Sequence, residues 1–245
     1  MDKLNEEINY YFMKLEESDS EKAKSVIEAA KNQEWIYPFS EVEMKISALL
    51  AAGEIDFEKY LSMKQEYDKR NCYLFTYEMS GPRTFGETWA QSHLQTLVPE
   101  LTKPSKEIDP DYSGEYDFWY DGIKIEVKAS RAVLKKSGGK LIEKALGSSS
   151  NAPFDMNFQQ IKPGCCDVFV WMGVWRDSIK YWILSSEDVS SNQYYSRGQH
   201  RGNIGEGQLW IKDSNIAEFE EYLVDPDKIL EAIVRKAGVK WFYSV

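Results

Sequence analysis

EYDFWYDGIKIEVKAS, residues 115–130, carries the pattern from which the fold of this chain is read. Asp121-Gly122 is a dipeptide that a two-residue type I′ hairpin turn favours, because both central residues of that turn need positive φ. Alternating apolar and polar residues flank it, as in two half-buried strands. With Asp121 and Gly122 as the turn, the register opposes Tyr120 to Ile123, Trp119 to Lys124, Phe118 to Ile125 and Asp117 to Glu126. Side chains alternate between the faces of a strand. Tyr116, Phe118, Tyr120, Ile123, Ile125 and Val127 are therefore expected on an apolar face, and Asp117, Trp119, Lys124, Glu126 and Lys128 on the other.

Two carboxylates opposed on neighbouring strands have Cβ atoms about 5 Å apart and repel one another. A divalent cation between them resolves the conflict. Asp117 and Glu126 offer the hard oxygen ligands that suit Mg²⁺, and Ile125 or Val127 can add a backbone carbonyl. Lys128, one alternation beyond Glu126, points at the same place with a positive charge, where it can orient water or stabilise a phosphoryl oxygen. The chemistry indicated is metal-assisted phosphodiester hydrolysis. A solvated hairpin face, with Lys128 paired to Glu115, accounts for the same charges without chemistry.

An aspartate followed on the next strand by Glu-x-Lys resembles the PD-(D/E)xK nuclease superfamily, with Asp117 and Glu126-Val127-Lys128 in the signature positions and Tyr116 where its name has proline. The flanking order is similar as well: GETWAQSHLQTL precedes the hairpin, and FQQIK with CDVFVWMGVW follows it. Residues from about 80 to 240 resemble the type II restriction endonucleases of that superfamily. The resemblance implies an α/β fold with a restriction-endonuclease-like mixed central sheet flanked by helices. It implies Asp117, Glu126 and the Val127 carbonyl as ligands of one or two Mg²⁺ ions, Lys128 as the residue acting on water, double-stranded DNA as substrate, and a homodimer whose two-fold axis matches a two-fold site. A metal-facing role for Glu87 is implied too, although Thr84-Phe85-Gly86-Glu87 also reads as a capping box. Gln159 or Gln160 is placed near the scissile strand by the same resemblance, and as an ordinary edge-strand amide by its residue type alone. Pro163 and Gly164 stand where RecB-like members carry tyrosine, which argues against that branch.

Working outward, LNEEINYYFMKLEES, SEKAKSVIEAAKNQ, SEVEMKISALLAAG and DFEKYLSMKQEYDKR have helical periodicity. They make residues 1–80 a helical subdomain, joined near Gly81-Pro82 to a nuclease-like core over 81–245. A chain of 245 residues, 42% hydrophobic, is long enough for both. The net charge of −10 counts against simple phosphate binding. Its distribution is uneven, since residues 1–80 hold ten basic and seventeen acidic side chains. Within 124–144 the sign reverses: Lys124, Lys128, Arg131, Lys135, Lys136, Lys140 and Lys144 face only Glu126 and Glu143. That run reads either as a phosphate track or as a solvated loop. Farther on, Arg197, Gln199, His200, Arg201 and Asn203 are side-chain types that read base edges, in a glycine-rich stretch that reads equally as a surface loop.

Several classes are disfavoured. No run of eighteen apolar residues or charged-then-apolar leader occurs, so neither a membrane span nor a secretory signal is expected, and a cytoplasmic location follows. Cys72, Cys165 and Cys166 lack the spacing of a zinc site or a disulfide framework. With only His93 and His200, a histidine-metal nuclease or a histidine-based triad lacks residues. A repair or structure-specific nuclease of the same fold, and a DNA-binding protein without catalysis, are the other readings.

Overall fold

The computed structural model of the protein describes residues 3–18, 20–31, 38–135, 138–198 and 206–238. They fall into two compact units, Met1–Cys72 with Gly139–Glu143, and Tyr73–Gly138 with Lys144–Val245.

The first unit contains the four helices that periodicity predicts: α1 (Lys3–Glu16), α2 (Glu21–Lys31), α3 (Pro38–Ala52) and α4 (Phe57–Lys69). Leu4 and Ile8 of α1, Ile46 and Leu49 of α3, and Met63 and Tyr67 of α4 close around Ile55. Local chemistry sets the α3–α4 corner. Gly53 takes φ +79 and the Glu54 amide returns to the Leu49 carbonyl at 3.1 Å, a left-handed helix end that glycine permits. Asp56 then caps α4 by accepting the Lys59 amide at 2.7 Å. The units part at Cys72–Tyr73 rather than at Gly81-Pro82 because the intervening segment is anchored in the second unit. The Tyr73 amide donates to the Arg176 carbonyl at 2.9 Å, and the buried Tyr77 hydroxyl lies 3.0 and 2.7 Å from the carbonyls of Ala132 and Val174.

The second unit is α/β. Its helices are α5 (Gln91–Leu97), which continues a π-helical stretch over Thr84–Ala90, α6 (Ser186–Ser190) and α7 (Ile229–Lys236). Its strands are β1 (Phe118–Tyr120), β2 (Ile123–Arg131), β3 (Val133–Leu134), β4 (Phe154–Ile161), β5 (Val168–Val174), β6 (Ile179–Ser185), β7 (Tyr195–Arg197), β8 (Gly207–Lys212) and β9 (Leu223–Val224). The first sheet has the order β1-β2-β5-β6-β9 and is mixed, with β2 parallel to β5 and the other neighbours antiparallel. The second is antiparallel, in the order β3-β4-β8-β7.

The hairpin register agrees with the sequence, pairing Phe118 with Ile125, Trp119 with Lys124 and Tyr120 with Ile123. Asp121 and Gly122 take φ +45 and +86, as a type I′ turn requires. One face of the mixed sheet is covered by helices: Leu94, Ile229 and Ile233 pack on Phe118, Ile125, Val127 and Val170. The other face is covered by the second sheet instead of by helices. Met156, Phe158, Leu209 and Ile211 pack there against Phe169, Trp171 and Trp182. β4 and β8 alternate apolar and polar residues, so each has one face to bury, and a facing sheet accepts it. All seven residues of β5 are buried, as CDVFVWMGVW suggests.

After the hairpin, β2 runs through Arg131, β3 follows, and a 3₁₀ turn covers Ile142–Lys144. Ile216–Tyr222 is also 3₁₀. α6 starts at a reciprocal cap formed by Ser185 and Asp188. Among the described residues no helix is long and apolar enough to cross a membrane.

The sheets interlock at Gly173 of β5, where an added Cβ would lie 2.5 Å from Cζ3 of Trp182 and 3.0 Å from Sδ of Met156. Gly173→Ala is therefore expected to destabilise the protein by about 1–3 kcal/mol through overpacking. Denaturant unfolding measures it; an unchanged midpoint would show that the Trp182 ring moves aside freely.

Candidate active site

The hairpin ladder ends one pair before the expected opposition of Asp117 and Glu126. Asp117 leaves the strand: its amide donates to the Ile125 carbonyl at 2.9 Å, and its Oδ2 accepts the Val127 amide at 2.8 Å. The Val127 amide lies past the end of β1 and needs an acceptor there, which the carboxylate supplies. This departure turns Tyr116 over. It packs with Trp119 in the core between the sheets, not beside Phe118 on the helical side as strict alternation predicts.

Glu126 and Lys128 occupy even positions of β2, opposite in face to Ile125 and Val127. The Lys128 Nζ is 2.7 Å from Glu126 Oε1, and the two side chains are only 16% and 12% exposed. Lys128 thus pairs within its own strand and not with Glu115. Burial, reinforced by the Asp117 charge, pushes the Glu126 carboxyl up to about 7, with Lys128 acting in the opposite direction. Asp117 is also raised by burial, against the Val127 hydrogen bond and the charges of Lys128 and Lys103. The two carboxyls also act on one another, lowering Asp117 and raising Glu126.

Two further residues orient Asp117. Gln91 Nε2 donates to its Oδ1 at 2.6 Å, and Gln91 Oε1 accepts in turn from Lys103 Nζ. Lys103 also stands 3.9 Å from the centroid of the Phe118 ring and 3.4 Å from the Asp117 carbonyl. It arrives there because Thr102 and Trp119 exchange backbone hydrogen bonds of 3.0 and 2.8 Å. Glu87 does not reach the site. It is 64% exposed and pairs with Arg83 at 3.5 Å. Nor does it form a capping box with Thr84, because the helix already begins at Pro82, whose fixed φ suits a first turn, and Thr84 lies inside it. Gln91, four residues after Glu87, takes the position at the site. The same GETWAQ stretch held that signal, one helical turn on; Lys103 had none, since its placement comes from a pairing distant in sequence.

Cys165, just beyond β4, interacts electrostatically with Glu126 and Lys128, and its thiol is lowered chiefly by a hydrogen bond from Cys166. Burial pushes the Cys166 thiol up. Sequence spacing gave no reason to place either near the carboxylates.

The basic run does not form the continuous track that its charge suggests. Lys124 binds Asp109 at 2.8 Å and lies over the Tyr116 ring. Arg131 donates to the Met79 carbonyl at 2.7 Å, stacks 3.8 Å over Phe85, and is pushed down to about 10 by burial. Both cations serve intramolecular contacts: Arg131 in the covered part of β2, Lys124 at its partly exposed start. Lys135 is exposed, and Lys136 lies outside the described residues. Gln160 is exposed at the end of β4 and Arg197 at the end of β7. Gln199, His200, Arg201 and Asn203 lie outside the described residues.

Among the described residues no group of three or more His, Cys, Asp or Glu side chains is gathered to hold a metal. The site offers two carboxylates and one backbone oxygen: the Val127 carbonyl faces the same edge of β2 as its amide, beyond the end of β1. Mg²⁺ commonly takes one or two carboxylates and retains several waters, so this donor set suits it.

A carboxyl raised from 4.5 to about 7 on folding contributes stability that is complete below 4.5 and lost as pH rises through 7. In EDTA the melting temperature is expected to fall between about pH 5 and 7 and then level off, and Glu126→Gln should flatten that fall. Parallel profiles for the two proteins would mean that Glu126 is ionised throughout. No protein-family model matches the chain and no curated protein matches it, so the reading of this site rests on its own geometry.

Proposed function

We propose that the second unit is a Mg²⁺-dependent endonuclease that hydrolyses phosphodiester bonds of double-stranded DNA, sequence-specifically and as a homodimer, in the manner of the type II restriction enzymes it resembles. The observation that carries this reading is the buried pair Asp117 and Glu126 with the Lys128 ammonium 2.7 Å from Glu126. Two adjoining carboxyls at a strand end are costly to bury unless a cation completes them.

Asp117, Glu126 and the Val127 carbonyl would hold Mg²⁺, which when bound supplies Lewis-acid polarisation of a phosphoryl oxygen and a more acidic water. The chain itself does the rest. The Val127 amide and the Gln91 carboxamide fix both oxygens of Asp117. Lys103 fixes the carboxamide, because its donation to Oε1 leaves the NH₂ group facing Asp117. Lys128 holds a positive charge beside Glu126, placed to orient water and to offset charge developing on the phosphoryl group. Low exposure strengthens each of these interactions relative to water.

Plasmid cleavage with and without Mg²⁺ tests the assignment. Asp117→Asn should abolish cutting, and Lys128→Ala should lower kcat about 10²–10³-fold. Mg²⁺ should raise the stability of the wild type by about 2.7 kcal/mol at a hundredfold excess over Kd, an effect that survives in Lys128→Ala and shrinks in Asp117→Asn. Full cutting by Asp117→Asn would remove the site from consideration. Discrete fragments from phage DNA indicate restriction; smears, or a preference for branched duplexes, indicate a repair nuclease of the same fold.

A further inference from the structure

The polar end of β4 contains a backbone irregularity. β4 pairs with β8 through Phe158↔Leu209 and then Ile161↔Gly207, so three steps along one strand match two along the other. One extra residue is present, and the strand bulges. Phe158 and Ile161 both point into the core between the sheets. Between them alternation allows one outward side chain, and the bulge yields two, since Gln159 and Gln160 are both exposed. Gln160 achieves this at φ +54, a left-handed conformation unfavourable to a residue with a Cβ. Glycine would adopt it freely, yet glutamine is present.

Neither amide is occupied among the described residues: no hydrogen bond to the side chain of Gln159 or Gln160 is formed there. The surroundings are amide-rich. Asn157 precedes them on the same outer face and donates to Gln208 Oε1 at 3.3 Å. Arg197 stands at the same level of the sheet, opposite Gly207, with an exposed side chain. The chain then passes from Ile161 through Lys162, which pairs with Glu206 at 3.1 Å, to Cys165, which interacts electrostatically with Glu126 and Lys128. Only four residues, 161–164, separate Gln160 from Cys165.

We propose that the Gln159–Gln160 bulge is a base-reading element, which presents two carboxamides to the major-groove edge of an A·T pair in duplex DNA. This rests on reading the protein as a DNA enzyme. Uncharged amides offer paired donors and acceptors but no attraction to phosphate, so they specify rather than anchor. A glutamine carboxamide matches the N6 and N7 atoms of adenine bidentately, and the major groove admits a β-ribbon. Bulges re-aim side chains next to active sites, and strained backbone at a fixed position points to a role that the strain serves.

The test is selection from a random-sequence duplex pool in Ca²⁺, comparing wild type, Gln159→Ala/Gln160→Ala and Gln160→Gly, with melting temperatures for all three. The wild type should enrich a motif containing A·T at one or two positions. Preference there should fall about ten- to a hundredfold in both variants. Gln160→Gly should melt at or above the wild-type temperature, since glycine relieves the left-handed conformation, so its loss of preference is not a loss of fold. An enriched motif that persists unchanged in the variants overturns the proposal, as does a wild type that enriches none. Cutting of plasmid in Mg²⁺ is read separately, so a protein that selects sequence without cleaving refutes the nuclease reading and leaves the base-reading assignment standing.

Discussion

β2 lies between β1 and β5 in the mixed sheet, with helices against one face and a second sheet against the other, and most of the second unit follows from that enclosure. Its odd-numbered residues Ile123, Ile125 and Val127 join the helical side without difficulty. Its even-numbered residues Lys124, Glu126 and Lys128 are charged and turn toward the face that the second sheet shares. A charged side chain withdrawn from water must be paired or neutralised. Each of them is: Lys124 takes Asp109, while Lys128 takes Glu126. The alternation that would serve a surface hairpin thus produces a half-enclosed row of ion pairs.

The carboxylate of Asp117 is the exception that makes the row chemically interesting. It is brought in by a backbone amide and a glutamine, two neutral donors that orient it without cancelling its charge. Lys128 is shared with Glu126, and the remaining cation, Lys103, reaches Asp117 mainly through Gln91. Burial of the carboxyl, which the available positive charge does not fully offset, is why a proton stays with Glu126 to about neutrality. A proton and a divalent cation compete for the same oxygens, so metal affinity at such a site rises with pH.

The second sheet has a different economy of polar groups. Its inner face is wholly apolar and locks into the mixed sheet through Phe158, stacked at 4.7 Å on Trp171, and through the hollow that Gly173 leaves for Trp182. Its outer face carries amides, a half-exposed Trp210 and Lys212. A rigid inner face allows the end of β4 to hold an unfavourable φ at Gln160, because the flanking Phe158 and Ile161 are fixed by packing on both sides of it.

What the amino-acid sequence determined by itself was local: the type I′ turn at Asp121-Gly122, the hairpin register next to it, the four N-terminal helices and the buried run of β5. Each depends on residues close in the chain, whose φ preferences or periodicity act before any distant contact forms. Asp117, Glu126 and Lys128 were legible together for the same reason, since one turn joins them. Gln91 and Lys103 were not, because they reach Asp117 only when a helix and the Thr102–Trp119 bridge fold onto β1. Tertiary structure also decided against Glu87, by starting the helix at Pro82 and leaving that carboxylate in solvent with Arg83. It drew Arg131 inward from a run that reads as a surface track and tied Lys124 to Asp109, because the covering of β2 is a property of its neighbours and not of its own pattern.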